Sequence, residues 1–224
     1  MKHDKIFERV VNRLENFHDL YTHNEINIIT PIAISPQATE KEISQVVSLL
    51  GFKIPEQLET LFKEFSKELA FDYQFENEFK KPYDGIFAGG LNWSLDTLYS
   101  MYLDYIGWTE AWLDPEMEFE PEEFERQEKI VLNKIPLEEV ANGDLIVMDL
   151  TNNQVTYLSH EDDYLHGKIL GNDLFEYLDF RQSIWFAGNE DWQFEPFFNN
   201  ELECMEKEGE NAKGWCELLE NGVH

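Results

Sequence analysis

The stretch Thr39-Glu-Lys-Glu42-Ile43-Ser-Gln-Val46-Val47-Ser-Leu49-Leu50-Gly51-Phe-Lys-Ile54-Pro55-Glu-Gln-Leu58-Glu-Thr-Leu61-Phe62-Lys-Glu-Phe65 carries its own punctuation. Thr39 with Glu42 three residues on forms a capping box, the signature of a helix start. Gly51 supplies the left-handed residue that stops a helix. Pro55 stands where a second helix begins, because its missing N–H is no loss there. Apolar residues at 43, 46, 47 and 50, and again at 58, 61, 62 and 65, each draw one helical stripe. The spacing predicts two short helices joined by a glycine-to-Ile-Pro turn.

Upstream, Ile6, Phe7, Val10, Val11, Leu14, Phe17 and Tyr21 share one face of a helix over 4–21. Asn27 to Pro36, with two prolines and several isoleucines, reads as a linker or a short edge strand. Downstream, Leu69, Phe71, Tyr73 and Phe75 alternate with small or polar residues, the period of a half-buried strand. Gly85 to Trp93 reads as a further strand ending in a turn. A helix then carries Leu95, Leu98, Tyr99, Tyr102 and Ile106, with Ser94 as its cap and Gly107 as its stop. Residues 108–120, including Trp108 and Trp112, read as a loop laid on the body, and Pro121 opens another helix with Phe124, Ile130 and Val131 inward.

Asp144–Leu150 and Gln154–Ser159 flank Thr151-Asn152-Asn153, whose asparagines tolerate the positive φ of a hairpin turn. The first of these strands is apolar on both faces, so it belongs inside a sheet. A third strand near Lys168–Leu170 and a helix over 173–185 follow. In the tail, Trp192, Phe194, Phe197 and Phe198 read as buried, and Trp215, Leu218 and Leu219 anchor a last helix. The expected class is α+β, an antiparallel sheet with helices packed mainly on one side. Residues 1–38 form an N-terminal helix and linker, 39–186 the core domain, and 187–224 an acidic extension packed on it.

The paired helices resemble the opening of the SUKH superfamily, which includes fungal cell-wall synthesis regulators and bacterial immunity proteins. The order of later segments fits the same family: Gly89-Gly90-Leu91-Asn92-Trp93, Ile135-Pro136-Leu137, the run Asn142 to Leu150, Val155 to Asp162, and Asp173 to Leu178. The resemblance spans 39–186. It implies a SUKH-like fold and a non-enzymatic intracellular binding protein, foremost an immunity protein that sequesters a cognate polymorphic toxin. A regulatory adaptor, as the fungal relatives imply, and an enzyme with a diffuse site are the alternatives.

Charge bears on the partner independently. Forty-six acidic against 17 basic residues leave a formal net charge of −29. Such a field repels nucleic acid and anionic membrane and favours a basic protein, as nucleic-acid-cutting toxins are. No lysine or arginine occurs from Pro82 to Glu125. Glu116, Glu118, Glu120, Glu122 and Glu123 crowd the end of that segment, with Trp108 and Trp112 nearby as aromatic anchors. Glu161, Asp162 and Asp163 form a second candidate patch. No apolar run approaches the roughly 20 residues that span a bilayer, and the N-terminus lacks a signal-peptide core. The expected location is the cytoplasm.

Catalytic, cofactor and metal roles find no support. Cys204 and Cys216 have no histidine at metal spacing. Consecutive acids after His160 cannot all converge on one ion. Asp149, closing an apolar strand, fits either a general base with a raised pKa or, more commonly, an acid bonding turn amides. Gly89-Gly90 is too short to cradle a phosphate, and Trp93 lacks the basic neighbours of a nucleic-acid platform.

The charge excess makes a stability prediction. Self-repulsion among the carboxylates should be relieved by salt, so the melting temperature should rise between low salt and about 0.15 M. A flat or falling melting temperature would mean the acids are already paired or well dispersed.

Overall fold

The computed structural model describes residues 2–114, 119–161 and 164–222. Helix α1 (Lys2–His23) leads into strand β1 (Ile26–Ile34), then α2 (Glu40–Leu50) and α3 (Glu56–Thr60), which runs on as a π-turn over Leu61–Phe65. Next come β2 (Glu68–Phe75), β3 (Ala88–Gly90), β4 (Trp93–Ser94), α4 (Leu98–Trp112) and α5 (Pro121–Val131). The second half holds β5 (Lys134–Glu139), β6 (Leu145–Asp149), β7 (Val155–Leu158), β8 (Ile169–Gly171) and α6 (Leu174–Ser183). It closes with α7 (Asp191–Phe194), β9 (Phe198–Asn199), β10 (Cys204–Met205) and α8 (Glu210–Asn221).

The capping box forms as the sequence requires. Thr39 N donates to Glu42 Oε2 at 2.7 Å, and Glu42 N donates to Thr39 Oγ1 at 3.3 Å. Hydrogen bonds from Thr39, joined by Lys67, hold the Glu42 carboxyl down at about 2. Gly51 adopts φ 77° and its N–H closes on Val47 O at 3.0 Å.

The class is α+β, and the strands divide into two sheets. Strands β1, β2 and β3 lie in that order with β4 also pairing β2, and β5-β6-β7-β8-β10-β9 form a six-stranded sheet. Every pairing is antiparallel except the short β8–β10 contact. Residues 26–34 are thus an edge strand, not a linker, paired to β2 with two register shifts.

Strand β6 is buried on both faces. Ile146 and Met148 join the main core, which also holds Val10, Phe17, Leu58, Leu61, Phe71 and Tyr157. Leu145 and Val147 point the other way, into a smaller cluster with Tyr105, Val131 and Leu158. Val147 therefore does not share a core with Ile54, Leu58, Leu61, Phe62 and Tyr157; the two-residue period of a strand forbids it.

Four local expectations change. Helix α4 runs through Gly107 to Trp112, so Trp108 and Trp112 are helical; a solvent-facing glycine costs only about 1 kcal/mol in a helix, and ring packing described below opposes that cost. Ser94 pairs with Glu68 in the first sheet, and the helix starts after Thr97. Trp192 is 42% exposed, while Phe194, Phe197 and Phe198 are buried. In α5 the inward residues are Gln127 and Val131, and Phe124 is only half-buried.

Leu61 is 1% exposed, so Leu61→Ala should destabilise by about 2–5 kcal/mol in chemical denaturation. A loss under about 1 kcal/mol would show that the π-turn can collapse around the missing side chain.

Candidate functional site

The end of α4, helix α5 and the loop after β7 meet through one buried carboxamide. Gln127 is fully buried. Its nitrogen donates to Glu123 Oε1 at 2.9 Å, which turns its oxygen towards Trp112 and His166. Trp112 Nε1 donates to that oxygen at 3.0 Å, and His166 Nε2 lies 3.0 Å from the same atom. A carbonyl oxygen only accepts, so His166 carries its proton on Nε2. Its Nδ1 lies 3.1 Å from Ser159 N and 3.0 Å from Ser159 O. The rings follow the hydrogen bonds: Trp108 stacks on Trp112 with centroids 5.2 Å apart, and Trp112 stacks on His166 at 5.0 Å.

This arrangement ties the α5 segment, which carries Glu120 and Glu122, to the loop that carries Glu161. Trp108 and Trp112 are half-buried, held by the stack. Glu120 and Glu122 are exposed at the start of α5, and Glu161 is exposed beyond the β7 strand end. Glu123 is already engaged: hydrogen bonds from Arg126, then Gln127, lower its pKa. Glu116, Glu118, Asp162 and Asp163 lie outside the described residues.

Asp149 acts structurally. Lys134 Nζ lies 2.5 Å from its Oδ2, and Thr151 and Asn152 donate backbone N–H groups to its Oδ1. Burial alone would raise the pKa, but the hydrogen bonds from Lys134 and Thr151 outweigh it and hold the carboxyl below its usual value. That is the reverse of a base poised near neutrality. Nearby, buried Asp144 accepts from Tyr157 OH at 2.7 Å and from His160 N at 2.8 Å, and His160 Nδ1 lies 2.6 Å away. The His160 ring is thus tied back to the β6–β7 sheet.

A cleft of about 610 Å³ opens between the sheets. It is lined by the outward residues of β2, the end of β5 with the turn after it, and residues 189–193. Below it lies a buried polar network. Arg181 donates to Tyr177 OH at 3.0 Å and to Gly188 O at 2.9 Å, and its other terminal nitrogen contacts include Gly90 O. Tyr177 OH in turn donates to Glu138 Oε1 at 2.6 Å. Gly89 and Gly90 are needed for close approach: a Cβ on either would lie 2.5 Å from a backbone oxygen, that of Phe186 or Phe71. They serve chain packing, not phosphate binding.

Cys204 and Cys216 are free thiols, and burial pushes both pKa values up. One trio among the described residues, His3, Asp4 and Glu64, brings possible metal ligands together. His3 Nε2 lies 3.3 Å from Asp4 and 2.9 Å from Glu64, an ion-pair geometry. No helix among the described residues is long and apolar enough to cross a membrane.

Sequence reasoning missed Gln127, His166, Lys134 and Arg181. Arg181, a lone cation inside the apolar run of α6, did carry a readable signal. Lys134 offered one too, since it sits directly opposite Asp149 in the register.

Residues 37–179 match the SMI1 / KNR4 family (SUKH-1). No curated protein matches the chain.

The Asp149 pair yields a signed pH prediction. Its folded pKa is depressed, so its contribution is present above the unfolded value of about 3.9 and is lost as pH falls through the folded value. Asp149→Asn should cost about 3 kcal/mol near neutral pH, and urea unfolding should show that penalty shrinking at about pH 3. An equal penalty at both pH values would mean the charge is not what matters.

Proposed function

The chain belongs to the SMI1 / KNR4 family (SUKH-1), and from that premise we propose that it is a non-enzymatic immunity protein that sequesters a basic toxin domain in the cytoplasm. The observation carrying this reading is the face built on Gln127. There the stacked Trp108 and Trp112 are joined to α5, which carries exposed Glu120 and Glu122, and through His166 to the loop that carries exposed Glu161. Aromatic anchors ringed by like charge suit an interface with a cationic partner. The rest of the chemistry is consistent. Asp149, Asp144 and Glu138 are each engaged by hydrogen bonds inside the fold.

Physically, the negative field would steer the toxin and speed its capture. Where the toxin is a nuclease, the acids would occupy the surface that its substrate's phosphates use. Glu116, Glu118, Asp162 and Asp163 extend the same two segments and belong to the proposal.

The test begins with the product of the gene adjacent to this one. Replacing Glu116, Glu118, Glu120, Glu122, Glu161, Asp162 and Asp163 by their amides should slow association by about tenfold or more and flatten its salt dependence. Circular dichroism should be unchanged. An unaltered rate and salt slope with the whole set neutralised would reject this face.

A further inference from the structure

The cleft between the sheets is distinct from that face, and its lining has a definite chemical character. The burial of β2 alternates, so Glu68, Ala70, Asp72 and Gln74 turn outward while Leu69, Phe71, Tyr73 and Phe75 enter the core. Along this outward row the cleft is mixed. Ile29 is 51% exposed and Phe87 44% exposed, and both line it. Glu139 and Glu190 line it too, and no lysine or arginine among the described residues does. Burial, followed by the carboxylates of Asp144 and Asp191, raises the pKa of Glu190, so an added cation there would be welcome. Gln193 also borders the cleft. It is fully buried, its oxygen accepts from Asn189 N at 2.8 Å, and its carboxamide nitrogen has no partner.

We propose that this cleft binds an extended segment of a basic protein, with apolar side chains on Ile29 and Phe87 and cationic side chains on the surrounding glutamates. Charge complementarity commits the site to that occupant: an acidic segment would be repelled, and a small apolar ligand would leave the carboxylates desolvated without partners. The proposal rests on the reading of the chain as a binder of basic proteins, and it names a second contact for the same partner. A strand-like segment suits the place, because successive side chains of an extended chain point to opposite sides and can sort apolar from charged contacts.

The probe is a short synthetic peptide alternating arginine and leucine, titrated at physiological salt into the full-length ¹⁵N-labelled chain. Amide shifts should concentrate at Asp72, Gln74, Ala88 and Val140. Gln74→Lys with Glu139→Lys, both at exposed positions, should weaken binding about tenfold. An arginine–serine peptide should bind markedly less well, as should the arginine–leucine peptide to Phe87→Ala. Shifts spread over all exposed acids, shifts centred on 120–128, or unchanged affinity in the double variant would overturn the assignment. Equal binding of the arginine–serine peptide would overturn it as well. The two readings fail separately: cleft binding without protection against any toxin sinks the immunity role alone, and toxin capture with an inert cleft sinks this site alone.

Discussion

The buried guanidinium of Arg181 is the constraint on which the arrangement of the two sheets depends. A fully buried charge is costly to desolvate unless every donor finds an acceptor. Here the terminal nitrogens find acceptors in the Gly90 carbonyl at the end of β3, far along the chain, and in the nearby Phe186 and Gly188 carbonyls and Asn189 side chain, while Nε is left without a partner among the described residues. Through Tyr177 the network reaches Glu138 on β5, in the other sheet. One side chain therefore sets how far the first sheet stands from the second. The cleft is the space that this spacing leaves.

The same logic explains why the glycines precede Arg181 in importance for local geometry. Gly90 must offer its carbonyl without a side chain, because a Cβ there would collide with Phe71 O and Asp72. Gly89 must let Phe186 O and the Tyr73 ring approach. Tyr73 OH then donates to Trp185 O at 2.8 Å, and Gly90 N donates to Phe186 O at 2.9 Å. The segment after α6 is thereby stitched to the first sheet, with Trp185 and Phe186 held at positive φ. Arg13 covers the Trp185 ring at 4.0 Å, which brings α1 into the same assembly.

Elements set by local rules were readable from residues alone. The Thr39–Glu42 box and Gly51 act within one turn, and the alternation of β2 and β6 needs only a period and a face. What escaped was non-local. Nothing around Gln127 says that Trp112 and His166 will meet on its oxygen, since that contact joins segments 15 and 39 residues away. Gly107 misled because glycine stops helices only where a left-handed turn is wanted, and α4 continues past it to reach the Trp112–His166 stack. The acids of α5 and the 161 loop looked like alternatives for the same reason. The link between their segments runs through the tertiary contact of Gln127 with His166, whereas their charge was plain from composition.

Many of the chain's cations are spent on its own architecture. Lys134 holds Asp149, Lys67 holds Glu42, Arg9 and Lys207 converge on Asp179, and Lys63 bridges Glu40 and Glu59. Arg181 is sealed inside. With 17 basic residues against 46 acids, these internal pairings leave few cations to compensate the exposed carboxylates of α5, the β7 strand end and the cleft. Like charges held in a folded surface store repulsion that the unfolded chain can relax. A basic partner releases that repulsion on contact, so association would stabilise the fold beyond the contacts it makes. An acidic protein built this way is most stable when it is occupied.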